Sequence, residues 1–359
     1  MTDRRRGRLQ ARLRLWAHNW RIFRGNRLAV IGLVLLGVFL AMLIAHPVLM
    51  GTVWRTQHQV YDPVIGYDAP ITELTVVERV TDPAAEIDLF SARLTNLSAE
   101  VGDVVEVKQQ PAPPSARHLL GTDPLGRDIL SMVLAGDRPT FIVGLMAAVT
   151  TALVGVGYAS IQAVMRGRVD GVMSRVSDAL LLFPAPLVMI VLGAGSFGRL
   201  LSPFRFGLFY GLLAGASTTA IVLRSHALTV MSRLFVDAAR VAGARRYHLM
   251  THHVVPHLIP LAAVSMLTAV VGAVVANGFA SYLAYGHDML NWGAMIFVGV
   301  DLLQNLGITA WSTLLAPSVT LSLFCASFYL ISLGVRDIAQ PRRQATGRMT
   351  SPARLEEAS

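Results

Sequence analysis

Long runs of apolar residues restrict this sequence to a membrane-embedded fold. Only 15% of its 359 residues are charged, against about 25% in a typical soluble domain. Each run is long enough to cross the hydrocarbon core of a bilayer as a helix. The runs are Leu28–Ala45, Phe141–Ala163, Ala179–Gly195, Phe206–Leu223, Leu258–Asn277 and Trp311–Gly334. The sequence therefore predicts an all-α membrane protein with six transmembrane helices.

The charge of the connecting segments changes with position along the chain. Residues 1–27 hold nine arginines and one acid, whereas residues 52–117 hold ten acids and five bases. Arginine is dense again around residues 166–175, 224–246 and 336–343. Under the positive-inside rule these arginine-rich segments share the cytoplasmic side, so both termini are expected there. Arg199 and Arg205 lie on the other side in this topology and are exceptions to the rule.

Several function classes find no support in the sequence. The net charge of +9 would suit nucleic-acid binding, but no polar domain is available to carry it. The only lysine, Lys108, does not lie in a phosphate-binding glycine-rich loop. We find no cofactor fingerprint and no catalytic triad pattern, which argues against an enzyme. A single cysteine, Cys325, excludes a disulfide framework within the chain.

The predicted organisation has five parts. An amphipathic segment at the cytoplasmic leaflet is followed by the first transmembrane helix, for which a cleaved signal peptide is the alternative, and by an extracytoplasmic insert. A core with five transmembrane helices and a cytoplasmic tail complete the chain. We expect the insert to be compact and β-rich, with an unstructured loop as the alternative. The parts are residues 1–27, 28–50, 51–117, 118–340 and 341–359.

A polar stretch, VDAARVAGARRYHLMTHHVVPHLIP, lies between two of the apolar runs. Asp237 is expected to start a helix, because a carboxylate meets free N–H groups there. Gly243 is expected to end it. A second short helix over Arg245–His253 and a new span opened by Pro256 are then predicted. The small residues of the first helix are expected to share one face, and they are Ala238, Ala239 and Ala242.

The spacing in this stretch resembles the EAA motif of ATP-binding-cassette importer permeases. That motif has Glu-Ala-Ala, three residues, Gly, nine residues, Ile, one residue, Leu and Pro. Here Asp237 takes the place of Glu and His253 that of Ile, with Val255 before the proline. The resemblance implies that the EAA-like loop, residues 236–256, docks on a cytoplasmic ATPase. The residues expected to serve coupling are Asp237, Ala238, Ala239, Gly243, Arg245, Arg246, His253 and Pro256.

Two further stretches are similar to dipeptide, oligopeptide and nickel permeases. RVSDALLLFPAP, residues 175–186, resembles their third span, and HLLGTDPLGRDILS, residues 118–131, resembles the segment before their second span. In the latter we expect an outer-face signature with a largely structural role, formed by Gly121, Thr122, Asp123, Gly126, Arg127 and Asp128. The sequence departs from the family in a longer insert and in ASYLAYGHDMLNWG, where the usual prolines are missing. These departures leave the substrate open.

The resemblance implies a type I importer permease with several partners. The expected partners are a homologous permease, two ATP-binding-cassette ATPases, an extracytoplasmic solute-binding protein and membrane lipid. Nucleic acid is not expected as a partner. ATP and Mg²⁺ would be used by the ATPases, and this chain is expected to bind no cofactor or metal. Peptides are the expected substrate, with nickel or another small solute as the alternative. A channel or secondary transporter is a distant alternative, because internal repeats and charged relays are missing.

Some polar residues allow two interpretations. His248 and His252 share a helix face, which suits a metal pair but suits a docking or interfacial surface better. Arg240, Arg245 and Arg246 would pair either with acids on the ATPase or with the inner leaflet. Others would line the transport pathway or form hydrogen bonds between helices, and they are Asp178, Gln162 and Asn277.

Overall fold

The computed structural model describes residues 19–55, 60–61, 71–82, 85–108, 112–123, 126–194, 201–282, 290–306 and 311–339. The first six helices are α1 Arg27–Gly51, α2 Leu89–Thr95, α3 Ile129–Met165, α4 Arg168–Leu182, α5 Ala185–Ala194 and α6 Pro203–Ala214. The other six are α7 Ala220–Met231, α8 Leu234–Val241, α9 Arg246–His248, α10 Val255–Ala280, α11 Trp292–Leu306 and α12 Trp311–Ala339. The strands are β1 Ile71–Val77, β2 Glu86–Asp88 and β3 Val104–Lys108.

The predicted membrane architecture is confirmed, with one exception in shape. Five described stretches are long and apolar enough to cross a bilayer, and α4 with α5 makes a sixth if the two count as one span. The span predicted over Ala179–Gly195 corresponds to a bent pair of helices, because α4 and α5 meet at an angle of 62°. Pro184 explains the break, since a proline disfavours helical backbone at the residue before it, and Phe183 has φ −111° and ψ 87°.

The span boundaries lie further out than hydropathy predicted. Helix α3 begins at Ile129, twelve residues before the expected start at Phe141, and has 37 residues. The side chain of Asp128 accepts a hydrogen bond from the Ser131 N–H at 2.7 Å and so caps the helix. Pro139 lies within α3 without ending it. At 1.5 Å per residue α3 is about 55 Å long, which exceeds the hydrocarbon thickness.

The contacts divide the chain into two compact units. The first comprises Met1–Phe39, Phe141–Asn277 and Leu323–Ser359, and contains the EAA-like loop. The second comprises Leu40–Thr140 and Gly278–Ser322, and contains the predicted outer-face signature and the β-rich insert.

Helices α3 and α6 of the first unit approach each other closely. A Cβ atom added at Gly211 would lie 2.6 Å from Thr150 Cβ and 2.8 Å from the Ala147 carbonyl oxygen. The Thr151 hydroxyl donates a hydrogen bond to the Gly211 carbonyl at 3.5 Å. Small residues are typical where transmembrane helices pack, because the apolar side chains gain little by leaving lipid and the contact depends on close fit.

The start of α1 is joined to the end of α12, also in the first unit. The Asn26 side chain accepts hydrogen bonds from the Leu28 and Ala29 N–H groups at 3.0 and 3.3 Å, and donates one to Asp337 at 2.8 Å. Residues 19–25 of the predicted amphipathic segment are helical, and Phe23 is buried against Ala29 and Ile331. Residues 1–18 of the predicted amphipathic segment lie outside the described residues.

The insert contains a small sheet with its own core. The strand order is β2-β1-β3, with β1 parallel to β2 and antiparallel to β3. Four side chains form the core, and they are Val76, Ala92, Ala99 and Val105. Because Ile71 pairs with Lys108, the chain leaves this module next to the point where it enters. The expected β-rich character is confirmed, and for residues 71–108 the unstructured alternative is wrong.

The α3–α6 contact gives a direct test of the packing. Gly211→Ala should destabilise the protein by about 1–3 kcal/mol, because the added methyl group overlaps Thr150 and the Ala147 carbonyl. Gly157→Ala is the matched control, since no atom lies within 4 Å of its added Cβ. Thermal unfolding in detergent measures both variants. Equal stability of the two would contradict the close contact.

Candidate functional site

Helix α8 begins earlier than the sequence indicated. Its first residue is Leu234, and Arg233, with extended backbone (φ −80°, ψ 143°), precedes it. The expectation that Asp237 starts the helix is therefore wrong. Asp237 lies in the first turn, where its carboxylate is still favourable near the positive end of the helix dipole. It forms an exposed ion pair with Arg240 at 2.8 Å, one turn further along the same helix.

Gly243 ends the helix through its backbone conformation. Its φ is +84°, in the left-handed region that favours glycine. The Ala244 N–H donates to the Ala239 carbonyl at 3.0 Å and the Gly243 N–H to the Arg240 carbonyl at 2.9 Å, which is the pattern of a Schellman motif. A Cβ atom at Gly243 would meet no atom within 4 Å, so the requirement for glycine comes from backbone geometry and not from space.

Helix α8 carries two different apolar faces. Val236 is fully buried, and Ala239, three residues later, packs against the same core. Leu234 is 87% exposed and Val241 is 91% exposed, with the exposed Ala238 between them at helical spacing. The expectation that Ala238, Ala239 and Ala242 share one face is therefore wrong. We define Leu234, Ala238 and Val241 as the outward face of α8.

The second half of the EAA-like loop does not form a separate helix. Residues Arg246–Ala280 are one continuous helical stretch, so the predicted break at Pro256 is wrong. A π-helical segment, Leu249–Val254, lies just before the proline. Proline lacks an N–H group and its ring collides with the carbonyl four residues earlier, and a wider π turn relieves that conflict. Arg245, with extended backbone, precedes the stretch as its cap residue.

A buried core joins the EAA-like loop to three of the long helices of the first unit. Val236 from α8 and Leu249 and Val254 from the π-helical segment point into this core. Residues of three other helices complete it, and they are Ala159, Ala163, Leu223, Ala227, Met231, Leu258 and Ala262. We call it the loop core. Through it, α8 shares one buried cluster with residues of α3, α7 and α10.

The histidines of the loop form an aromatic surface. The rings of His248 and His252 stack with centroids 4.2 Å apart, and the Phe235 ring stacks on His257 at 5.7 Å. Among the described residues, no group of three or more His, Cys, Asp or Glu side chains is placed to hold a metal ion. These rings therefore form an aromatic patch on the EAA-like loop.

The exposed charge of the loop is mainly positive. Arg233, Arg240, Arg245 and Arg246 are exposed, and the single acid Asp237 is already paired with Arg240. The surface around the outward face of α8 therefore suits a partner that presents an apolar pocket with acidic side chains at its edge.

The predicted outer-face signature folds into one compact turn of the second unit. Asp123 is buried and accepts hydrogen bonds from the Arg127 N–H and Nε, each at 2.7 Å. Gly121 and Gly126 have φ of +81° and +78°, so both use left-handed backbone. Thr122 and Asp128 face each other across an isolated β-bridge. The structure thus brings these six signature residues together.

Asp128 is the centre of a buried polar network that sequence reasoning missed. Its Oδ2 lies 2.9 Å from His118 Nδ1, and both side chains are buried. Its N–H donates to the Tyr61 carbonyl at 2.8 Å, and the Tyr61 ring stacks on His118 at 5.5 Å. Burial raises the pKa of the Asp128 carboxyl, and the hydrogen bonds from Ser131 and His118 act in the opposite direction. The spacing of ten residues between His118 and Asp128 gives no local signal for the pair.

The candidate pathway residues are not brought together by any hydrogen bond. Gln162 is buried and donates to the Ser174 hydroxyl at 3.3 Å. Asp178 is exposed on α4, and Asn277 is partly buried on α10. Sequence reasoning also missed the ion pair between Asp170 and Arg224, in which two hydrogen bonds of 2.7 Å join α4 to α7.

One known protein family matches more than half of this chain. A sequence model for the family described as "Binding-protein-dependent transport system inner membrane component" matches residues 152–344, more than half of the chain, including the EAA-like loop. The chain belongs to this family. A second model, for the N-terminal TM domain of oligopeptide transport permease C, matches residues 14–68 of this permease.

Several bacterial permeases are similar to this one. A peptide transport system permease protein of Brucella suis is 30% identical over 248 residues, which cover 68% of this chain and 80% of the relative. The oligopeptide permease OppC of Bacillus subtilis is 27% identical over 336 residues, 92% of this chain and 90% of that protein. The dipeptide permease DppC of the same organism is 29% identical over 237 residues, 65% and 72% of the two chains. This protein is therefore a multi-pass membrane component of a transport system.

The Asp128 network predicts a specific loss of stability. Asp128→Ala should cost about 2–4 kcal/mol, because it removes the cap of α3 and leaves the buried His118 without this partner. Asp128→Asn should cost clearly less, since the amide oxygen still accepts the hydrogen bond from Ser131. Thermal unfolding in detergent compares the two variants, and equal losses would contradict the assigned hydrogen bonds.

Proposed function

We propose that this permease is one of two membrane subunits of an ATP-driven importer that moves peptides into the cell. The observation that carries the proposal is the outward face of α8. Leu234 and Val241 are almost fully exposed on a short helix whose opposite side is fixed in the loop core. Large apolar side chains displayed on a rigid support are typical of a protein interface.

The proposed partner at this face is an ATP-binding-cassette ATPase. The surrounding arginines, Arg240, Arg245 and Arg246, would meet acids at the edge of its groove, and His253 would lie at the border of the contact. Each importer would contain two such ATPases, which bind ATP and Mg²⁺, together with a homologous permease and an extracytoplasmic solute-binding protein. The permease itself would then hydrolyse nothing and bind no cofactor.

The proposed cycle is alternating access. Closure of the ATPase dimer around ATP would move the EAA-like loop of each permease and turn the cavity outward to receive the solute. Hydrolysis would reset the transporter. In this arrangement the loop must face the cytoplasm, which places both termini there when the six spans are counted. The arginine-rich connecting segments support that orientation.

The peptide substrate is proposed from the relatives. The similar proteins of Brucella suis and Bacillus subtilis are named as peptide, dipeptide and oligopeptide permeases. The whole-length similarity to the oligopeptide permease supports the same class of solute for this protein.

Purification from native membranes in mild detergent tests the assembly. We expect a second permease and two P-loop ATPases to co-purify, as identified by mass spectrometry. The complex should then be reconstituted with its solute-binding protein, and uptake of labelled di- to pentapeptides and of Ni²⁺ should be compared with and without ATP. A homo-oligomer without ATPase would contradict the importer, and ATP-driven uptake of Ni²⁺ alone would contradict the peptide substrate.

The outward face of α8 gives a residue-level prediction. Leu234→Asp and Val241→Asp should each lower the amount of co-purified ATPase at least about tenfold, because a charge replaces an apolar contact in a desolvated interface. The matched controls Leu234→Met and Val241→Ile keep the apolar character and should retain the ATPase. Unchanged thermal unfolding of the isolated permease shows that the fold is intact. Normal ATPase recovery with either aspartate variant would contradict the docking assignment.

A further inference from the structure

One ion pair stands out among the contacts between the helices of the first unit. Arg224 of α7 contacts Asp170 of α4 with two parallel hydrogen bonds, Nε to Oδ1 and Nη2 to Oδ2, each at 2.7 Å. Both side chains are partly buried, with 32% and 19% exposure. A two-point contact between a guanidinium and a carboxylate fixes the relative orientation of its partners better than a single bond does.

The pair belongs to a row of polar contacts that hold α4. The Tyr158 hydroxyl donates to the Met173 carbonyl at 3.1 Å, and the Ser177 hydroxyl donates to the Ala216 carbonyl at 2.7 Å. Ser174 lies between them and accepts from Gln162. Among these contacts the Arg224–Asp170 pair is the one between charged groups, and it is the one made by α7.

The part of α7 that begins beside Arg224 also packs against the EAA-like loop. Leu223 next to Arg224, and Ala227 and Met231 one and two turns later, lie in the loop core with Val236 of α8. Only Ser232 and Arg233 separate α7 from α8. Because packed interiors transmit displacement and deform little, a shift of α8 must carry α7 with it.

Helix α4 leads to the sharp bend of the first unit. It ends at Leu182, and α5 continues at an angle of 62° beyond Phe183 and Pro184. Bends of this kind, with irregular backbone between two rigid helices, can absorb a change in angle. Because only Phe183 and Pro184 separate the two helices, a displacement of the end of α4 also shifts the start of α5, while the bend allows the angle between them to change.

We infer that the Arg224–Asp170 pair is the link through which movement of the EAA-like loop reaches the bent α4–α5 pair. Both are assigned as positioning residues, since the role inferred for them lies in the contact that joins α7 to α4. The inference rests on the proposed function, because an ATPase must drive the loop. It goes beyond it by naming the contact that connects the cytoplasmic loop to the broken helix.

The test uses the complete importer with its ATPases in proteoliposomes. Replacing Cys325 with serine gives a cysteine-free chain, and spin labels are then attached at Leu153→Cys on α3 and Val191→Cys on α5, two exposed positions. Pulsed electron–electron double resonance measures the distance between the two spin labels before and after the complex is trapped with ATP, Mg²⁺ and vanadate. The parent protein should show an ATP-dependent shift in this distance.

Three variants form a cycle on this background: Asp170→Asn, Arg224→Gln and the double change. We expect each of the three variants to lose most of the distance shift, because removing either partner removes the whole link. The loss should be equal in all three, including the double variant. ATPase co-purification and ATP hydrolysis should stay within about twofold of the parent, which an effect on docking or on the fold would not allow. Arg168→Gln is the matched control, since it is an exposed arginine with no ion pair among the described residues.

Distinct results would overturn the link. A full distance shift in Arg224→Gln, recovery of the shift in the double variant, or equal loss in Arg168→Gln would each do so. If the neutral variants fail to assemble, Arg224→Lys keeps the charge but loses the two-point contact, and a full shift there would overturn the link. Failure of the proposed function is recognised separately, because the parent would then lack ATPases or show no ATP-dependent shift.

Discussion

The close packing of small residues around α3 is the interaction on which the first unit depends. Gly211 of α6 and Gly215, which directly follows α6, allow this backbone to approach α3. Ala159 and Ala163 of α3 contribute to the loop core. In a bilayer, apolar side chains gain little by leaving lipid, so fit and not hydrophobicity must hold helices together. Helix α3 therefore supports both the packing of the spans and the position of the EAA-like loop.

Much of this fold could be predicted from the sequence, because bilayer thickness and backbone hydrogen bonding leave few alternatives to apolar helices. The positions that failed are those where a polar group decides the structure. Hydropathy placed the start of the second span after Asp137, Arg138 and Pro139, whereas the Asp128 cap starts the helix earlier. Pro184 was visible in the sequence, but a hydropathy window does not show that the span bends by 62° there.

The candidate site was located by motif spacing, which fixed the loop and the role of Gly243 in ending α8. The motif begins at Asp237, however, so motif spacing did not predict that the helix starts at Leu234 or that this side chain is exposed. Contacts between distant residues left no local pattern. The Asp170–Arg224 pair spans 54 positions, and its residues looked like ordinary charges at membrane boundaries. Only the folded chain shows that the two charges face each other.

The short length of α8 explains why the loop needs a buried side as well as an exposed one. Eight residues are too few for a stable isolated helix, because the free-energy cost of nucleation exceeds the stabilisation from so few hydrogen bonds. Val236 and Ala239 supply the missing stability from the loop core, and the left-handed Gly243 closes the helix end. Since the inner side and the terminus already fix the helix, the outward face needs no contact within this chain. Leu234 and Val241 can therefore remain exposed, which leaves them available for the proposed contact.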